Sequence, residues 1–216
     1  MRSILLYLLI ITCIACEKNT LTQASQSSPT NQSIRAGIYD TTFIHHQPAT
    51  AIALNIVWDS QNLYGSATDS LDLDLDNQSD LYLNLRLLNP DSLHLLSGMP
   101  NPFPYLSLGT TGNMQFMQRT ETVYAGLGTI VTYHWADTLS YNQTIADTSN
   151  WYIHSSNFIK LWGENPGSIG TPGFGTWYTL NDIRYIAFMK NQKLGWIAIN
   201  NSNRNNPLIT EWAIQK

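Results

Sequence analysis

Leucine recurs at every second position in two neighbouring segments of this 216-residue chain. The first segment runs from Leu71 to Leu75, and the second runs from Leu81 to Leu87. Successive side chains of a β-strand point to opposite faces of the sheet, so strict alternation indicates a strand with one buried face and one hydrated face. This part of the chain is therefore restricted to β-structure, because the apolar positions of a helix repeat about every 3.6 residues.

The rest of the chain from Gly37 onward also has the pattern of a β-protein. Short apolar segments alternate with clusters of turn-forming residues, and no long window keeps a helical period. The number and spacing of these segments predict an all-β fold, a two-sheet antiparallel sandwich similar to a jelly roll. The candidate strands are residues 37–46, 50–58, 70–76, 80–88, 103–108, 114–119, 129–135, 151–161, 174–180, 184–190, 194–199 and 208–214.

The two leucine segments are expected to form a hairpin. If the leucines share one face, Leu75 lies opposite Leu81 and the loop consists of residues 77–79. The same register places Asp76 opposite Asp80. A two-residue loop would divide the leucines between the two faces of the hairpin, so the three-residue loop is the one predicted.

The hydrated face of this hairpin is rich in carboxylates, and like charges opposite each other destabilise a sheet. A hard cation with oxygen ligands would offset the repulsion, and Asp-x-Asp-x-Asp-Asn-x-x-Asp resembles the start of calcium-binding loops. Leu83 stands where an EF-hand needs a bidentate glutamate, so the pattern predicts a structural Ca²⁺ site of another kind. The candidate ligands are Asp72, Asp74, Asp76 and Asp80, with Asn77 in support. The alternative is a hydrated acidic face that discourages pairing between sheet edges.

The amino terminus has the pattern of a secretory signal. Arg2 precedes the apolar run from Ile4 to Ile11, which is too short to span a bilayer. The tetrad Cys13-Ile14-Ala15-Cys16 resembles the lipobox of bacterial lipoproteins, although that box usually has leucine where Cys13 stands. The resemblance implies that residues 1–15 are a signal peptide and that Cys16 is lipidated. The alternative is an ordinary cleaved signal.

Lipidation would leave the mature protein without a thiol, since Cys13 and Cys16 are the two cysteines of the chain. An exported domain without disulfides must be held together by its core or by a bound ion. Residues 16–35 contain almost no large apolar side chains, so we expect the lipidated cysteine to continue into a flexible tether. The remaining residues, 36–216, are expected to form a single all-β domain.

A second apolar hairpin is predicted between Arg184 and Ile199, with its turn at Asn191-Gln192 and with Trp196 in the core. Together with the aspartate-rich segment, this hairpin resembles uncharacterised secreted and lipid-anchored proteins of Bacteroidota. In those proteins an Asp-x-Asp-x-Asp segment precedes a carboxy-terminal hairpin that contains Gly-Trp-Ile. The resemblance implies an envelope location and assigns no reaction.

Composition and motifs argue against several classes of function. The net charge of −4 and the pI near 5.6, without a cluster of basic residues, argue against nucleic-acid binding. The five histidines have no zinc-ligand spacing, and there is no Gly-x-Ser-x-Gly motif. Glycoside hydrolysis needs two facing carboxylates, and Glu164 is the candidate that lies near an aromatic residue.

These observations predict a non-enzymatic lipoprotein of the bacterial outer membrane, facing the periplasm or the cell surface. Its β-sandwich would bind or scaffold a glycan or an envelope protein, while the lipid holds it to the membrane. The alternative is a carbohydrate-binding module of a glycan-uptake system, for which exposed Trp or Tyr rings would be needed. A glycoside hydrolase built around Glu164 is a third hypothesis.

Overall fold

The computed structural model describes residues 32–53, 57–59, 64–88, 103–111, 114–124, 130–152, 158–163, 175–177, 179–203 and 206–216. All of these residues belong to the compact unit Asn31–Lys216. The predicted signal peptide, Cys16 and Glu164 lie outside the described residues.

The described part of the chain is built from strands, and no helix occurs in it. The strands are β1 (Ser33–Arg35), β2 (Phe43–His46), β3 (Ile52–Ala53), β4 (Val57–Asp59), β5 (Tyr64–Leu71), β6 (Leu81–Leu88), β7 (Phe103–Thr110), β8 (Met114–Tyr124), β9 (Ile130–Ala136), β10 (Thr144–Ala146), β11 (Trp151–Tyr152), β12 (Phe158–Gly163), β13 (Ile183–Lys190), β14 (Lys193–Asn200) and β15 (Leu208–Gln215). The predicted all-β class is confirmed, and the packed antiparallel sheets are consistent with a β-sandwich. Over the same residues, nothing helical is long and apolar enough to cross a membrane.

Two large sheets share the long strand β8. The first sheet has the strand order β2-β15-β14-β13-β8, and the second has the order β8-β9-β12-β7-β6-β5-β4. Near its start, β8 pairs with β13 at Phe116, and from Gln118 onward it pairs with β9. The contact between β9 and β12 is parallel, whereas the other contacts in these two orders are antiparallel. The chain therefore passes from one sheet to the other within β8.

The main hydrophobic core combines side chains from both sheets. Alternate residues along β6 and β7 of the second sheet meet alternate residues along β13, β14 and β15 of the first. Trp177, which is fully buried, joins this core from a turn. The largest contributors are Leu81, Leu83, Leu106, Leu108, Phe116, Trp177, Phe188 and Trp212.

The opposite face of the first sheet is covered as well. Strands β1 and β10 form a two-stranded ribbon, and their Ile34 and Ile145 pack in a second core with Trp196. Trp196 is fully buried and donates its indole N–H to the Ile38 carbonyl at 3.2 Å, which confirms the predicted core position. Because β14 is buried on both faces, Lys193–Asn200 has an almost continuous apolar sequence.

The hairpin between β13 and β14 turns at the predicted residues. Lys190 pairs with Lys193, and the two residues between them, Asn191 and Gln192, have φ angles of 52° and 67°. Two consecutive positive φ angles define the type I′ turn, whose twist matches that of the flanking strands. This part of the prediction is confirmed.

The predicted register of the acidic hairpin is wrong. Leu71 pairs with Leu81, and β5 ends at Leu71, so the connection runs through residues 72–80. Leu73 is fully buried although it lies in this connection, and Leu75 is half exposed with a φ of 61°. The strand ends because the Asp72 carboxylate bonds backbone N–H groups further along the loop, an arrangement that competes with ladder hydrogen bonding. Asp76 and Asp80 are therefore not a cross-strand pair.

The folded unit also begins earlier than the predicted boundary at residue 36. Ser33–Arg35 pairs with Thr144–Ala146, and Ile34 is buried between them and the first sheet. Residues 33–35 of the predicted tether therefore belong to the fold. Of the predicted strand at 37–46, Phe43–His46 forms β2, and the described residues of the predicted strand at 174–180 form a turn and its flanks.

Candidate functional site

The acidic loop, residues 72–80, is held in shape by its own carboxylates. Asp72 accepts the backbone N–H of Asp76 at 3.1 Å and that of Asn77 at 2.6 Å. Asn77 has a φ of 67°, a conformation that asparagine tolerates better than most residues. Asp76 in turn accepts the N–H of Gln78 at 2.8 Å. The loop is therefore folded back on itself around Asp72.

Asp80 closes the loop against the second sheet. Its backbone N–H donates to the Leu71 carbonyl at 2.8 Å, and its own carbonyl accepts the N–H of Thr111 at 3.0 Å. The side chain is 9% exposed, and its Oδ2 accepts the N–H of Leu73 at 3.0 Å. A nearly buried carboxylate of this kind needs charge compensation in addition to one backbone donor.

Lys190, at the end of β13 in the first sheet, provides that compensation. Its ammonium donates to Asp74 Oδ2 at 2.7 Å and to Asp80 Oδ1, so it bridges both ends of the acidic loop. Burial alone would lower the pKa of Lys190, but the hydrogen bonds and the charges of Asp74 and Asp80 outweigh it and raise this pKa. The lysine is therefore positively charged throughout the physiological pH range.

Three of the predicted metal ligands converge at this point. Oxygen atoms of Asp72, Asp74 and Asp80 all lie within 4.8 Å of one another. Within the described part of the molecule, Asp74 Oδ1 is buried and accepts no hydrogen bond. The cluster contains three carboxylates and one ammonium, which binds two of them, so it carries an excess of negative charge. Such a group of oxygen donors is suited to a hard cation.

Asp76 and Asn77 are placed differently from the other predicted ligands. The set of converging carboxylates comprises Asp72, Asp74 and Asp80, without Asp76. The Asp76 side chain is exposed and bonds within the loop, and Asn77 contributes its backbone N–H to Asp72. In the predicted hairpin, Asp76 would lie on the hydrated face in line with Asp72 and Asp74. In the folded loop its side chain instead points to solvent.

The spacing of the aspartates gives no role to Lys190, although the sequence carries a signal for one. Ile186 and Phe188 face the main core, and in a strand every second residue shares a face. Lys190 continues that face, and a lysine on a core-facing row requires an anionic partner. The aspartates that bind it lie 110 or more residues earlier in the chain.

The three described histidines have partners within the fold. His45 Nε2 lies 3.1 Å from Glu211, His134 lies 2.8 Å from Gln118, and the His46 ring lies 4.4 Å from that of Trp212. Four tryptophans are at most 4% exposed, so they offer no surface on which a sugar could stack. These four are Trp135, Trp177, Trp196 and Trp212.

No protein-family model, curated protein or solved structure matches this chain. The resemblance to Bacteroidota lipid-anchored proteins therefore stays a prediction from the residues that carry it.

Proposed function

We propose that this protein is a non-enzymatic lipoprotein of the bacterial outer membrane, facing the periplasm or the cell surface. Its β-sandwich binds or scaffolds an envelope component, and the acidic loop is a structural Ca²⁺ site. The observation that carries the Ca²⁺ proposal is the convergence of Asp72, Asp74 and Asp80, of which Lys190 binds two, with one buried carboxylate oxygen left without a partner among the described residues.

The lipid anchor is supported by the order of the sequence. Both cysteines precede the first described residue, Gln32, and the folded unit begins at Asn31. Acylation at Cys16 would therefore leave the described fold unmodified. A cysteine directly after Ile14-Ala15 agrees with the end of the lipobox, although Cys13 departs from its usual leucine, and an ordinary signal cleavage site does not require a cysteine at this position.

Replacement of Cys16 by alanine tests the anchor. In the host bacterium, we expect the unchanged protein to fractionate with membranes and to incorporate a radiolabelled fatty acid, and the variant to do neither. Cys13→Leu is the matched control, because it removes the other cysteine and places the residue that the lipobox usually has at this position. Label in the Cys16→Ala variant would contradict the proposal.

The Ca²⁺ site is supported by charge and by donor type. The Lys190 ammonium binds Asp74 and Asp80, so it competes with a divalent ion for the same carboxylates. A divalent ion neutralises more of the cluster than one ammonium does, and it would bind Asp74 Oδ1, the oxygen of this cluster that accepts no hydrogen bond among the described residues. The role is structural, since the loop joins β5 to β6 and contacts β13.

Thermal unfolding with and without Ca²⁺ tests this site. Saturating Ca²⁺, at about 100 times its Kd, should stabilise the fold by about 2.7 kcal/mol and raise Tm by about 5–10 °C. Asp74→Asn should abolish the shift, whereas Asp69→Asn in the adjoining strand should retain it. An unchanged Tm after addition of Ca²⁺ to the protein, at any concentration up to the millimolar range, would refute the proposal.

A further inference from the structure

A cleft beside the β1–β10 ribbon, on the face of the first sheet opposite the main core, has the features of a small-ligand site. It has a volume of about 350 Å³ and lies between β1, the segment before β2 and the end of β15. Ligand pockets in proteins span roughly 300–1,000 Å³, so this cleft could hold one or two sugar-sized rings. The lining residues that matter here are Arg35, Ile38, Tyr39, Asp40, Thr42 and Gln215.

Tyr39 is an exposed aromatic residue whose ring stacks on a neighbouring side chain. One face of the ring stacks on His45, with centroids 3.5 Å apart and planes 9° apart. His45 is itself fixed by Glu211 at 3.1 Å. Tyr39 is nevertheless 46% exposed and lines the cleft, so part of this residue is accessible to a ligand. A ring fixed in advance binds with little loss of side-chain entropy.

Asp40 supplies an oriented acceptor beside this ring. Its Oδ1 accepts the hydroxyl of Thr42 at 2.6 Å and the backbone N–H of the same residue at 2.8 Å. These two hydrogen bonds, the hydroxyl first, lower the pKa of Asp40, so the group is a carboxylate at neutral pH. A carboxylate accepts strong hydrogen bonds from ligand hydroxyls.

Arg35 supplies donors on the other wall. Its Nη1 is held by the Asn142 side-chain oxygen at 3.2 Å and by the Asn142 carbonyl at 3.4 Å. Lys216, which donates to the Thr41 carbonyl at 2.6 Å, adds a second positive charge that acts on Asp40. The cleft therefore offers a carboxylate acceptor at Asp40 and guanidinium donors at Arg35, which suits a ligand whose hydroxyls both donate and accept. A neutral ligand that both donates and accepts hydrogen bonds is therefore favoured.

We propose that this cleft binds a neutral saccharide, one or two units at the end of a glycan. The apolar C–H face of a sugar ring would stack on Tyr39, while its hydroxyls would donate to Asp40 and accept from Arg35. The inference gives the proposed envelope module a ligand class, and it uses residues separate from the acidic loop and from Cys16.

The probe is an array of neutral oligosaccharides built from glucose, galactose, mannose and N-acetylglucosamine, screened with the full-length protein extracted in detergent. Hits are then measured by titration calorimetry against variants. Tyr39→Ala and Asp40→Asn should each weaken binding by about tenfold or more. Tyr39→Phe should bind nearly normally, since the ring remains. Tyr141→Ala is the matched control, because Tyr141 is 63% exposed and does not line the cleft.

Loss of binding in Tyr39→Ala and Asp40→Asn, with normal binding in the control and an unchanged Tm, supports the proposal. No binding to any neutral glycan overturns it, as does binding that survives both substitutions. If Tyr39→Ala fails to fold, Asp40→Asn decides, since this change is isosteric and lies at the surface. The lipid anchor is tested by membrane fractionation and the Ca²⁺ site by Tm. A wrong assignment of either would therefore be seen independently of the saccharide-binding result.

Discussion

Lys190 is the residue whose replacement most directly tests how the two sheets are joined at the acidic loop. In Lys190→Met the aliphatic stem is largely retained, while the ammonium that bridges Asp74 and Asp80 is lost. The change therefore removes charge compensation with little change in packed volume. We expect the fold to persist and its free energy of unfolding to fall.

The size of the loss follows from burial. A fully buried ion pair that loses one partner costs about 3–5 kcal/mol, whereas an exposed pair contributes about 0–1 kcal/mol. Asp80 is 9% exposed, Lys190 is 17% exposed and Asp74 is 24% exposed, so the cluster lies between these limits. Asp80 also keeps the N–H of Leu73 after the change. We therefore expect a loss of about 2–3 kcal/mol, or about 5–10 °C in Tm for a fold of this size.

Urea unfolding followed by circular dichroism, in a calcium-free buffer, measures this loss. Lys193→Met is the matched control, because Lys193 is an exposed lysine directly opposite Lys190 across the same hairpin. It has no carboxylate partner among the described residues and should change stability by less than about 0.5 kcal/mol. Equal effects of the two substitutions would refute the assignment of Lys190 as the counter-ion of the loop. In the Asp74→Asn background, the Lys190→Met penalty should shrink, which a double-mutant cycle would show.

Two further outcomes are expected. The pKa of Lys190 is raised above 10.5 in the fold, so the stabilisation by its charge is complete below about pH 10.5 and is lost as the pH rises through the folded pKa. The difference in unfolding free energy between the protein and Lys190→Met should therefore be constant from pH 7 to pH 9 and shrink at higher pH. A difference that already shrinks near neutral pH would contradict this reasoning. Gln192→Gly should stabilise the protein by about 0.5–1 kcal/mol. Gln192 has a φ of 67° at the second central position of a type I′ turn, and glycine adopts this φ without steric cost. A lower Tm of the variant in thermal unfolding would show that Gln192 is not strained in this turn.

How far the sequence predicts the fold depends on how local the determining interactions are. The turn at Asn191-Gln192 and the burial of Trp196 follow from neighbouring residues, and both were predicted correctly. The predicted register of the acidic hairpin was wrong, because the alternation of buried leucines continues through Leu73 although the strand ends at Leu71. Leucines in a loop can point inward with the same period as leucines in a strand.

The candidate site also combines features that follow from the local sequence with features that depend on distant contacts. Aspartates spaced two residues apart made a cation site predictable, and Asp72, Asp74 and Asp80 do converge. The outward position of Asp76 depends on loop hydrogen bonds that spacing does not reveal. The cleft beside Tyr39 was not predicted at all, because its walls come from both ends of the chain and from Thr144 in between.

The sequence by itself determined the β-class of the fold, the cysteine-free folded region and the concentration of carboxylates in one short segment. These properties depend on side-chain alternation and composition, which are local. Only the tertiary structure decided that the Lys190 ammonium binds two of those carboxylates and that the exposed Tyr39 ring stacks on His45. Lys190 reaches Asp80 across 110 residues of sequence, and His45 is fixed by Glu211 across 166. Contacts at such separations arise from the packing of complete sheets, so no local pattern specifies them.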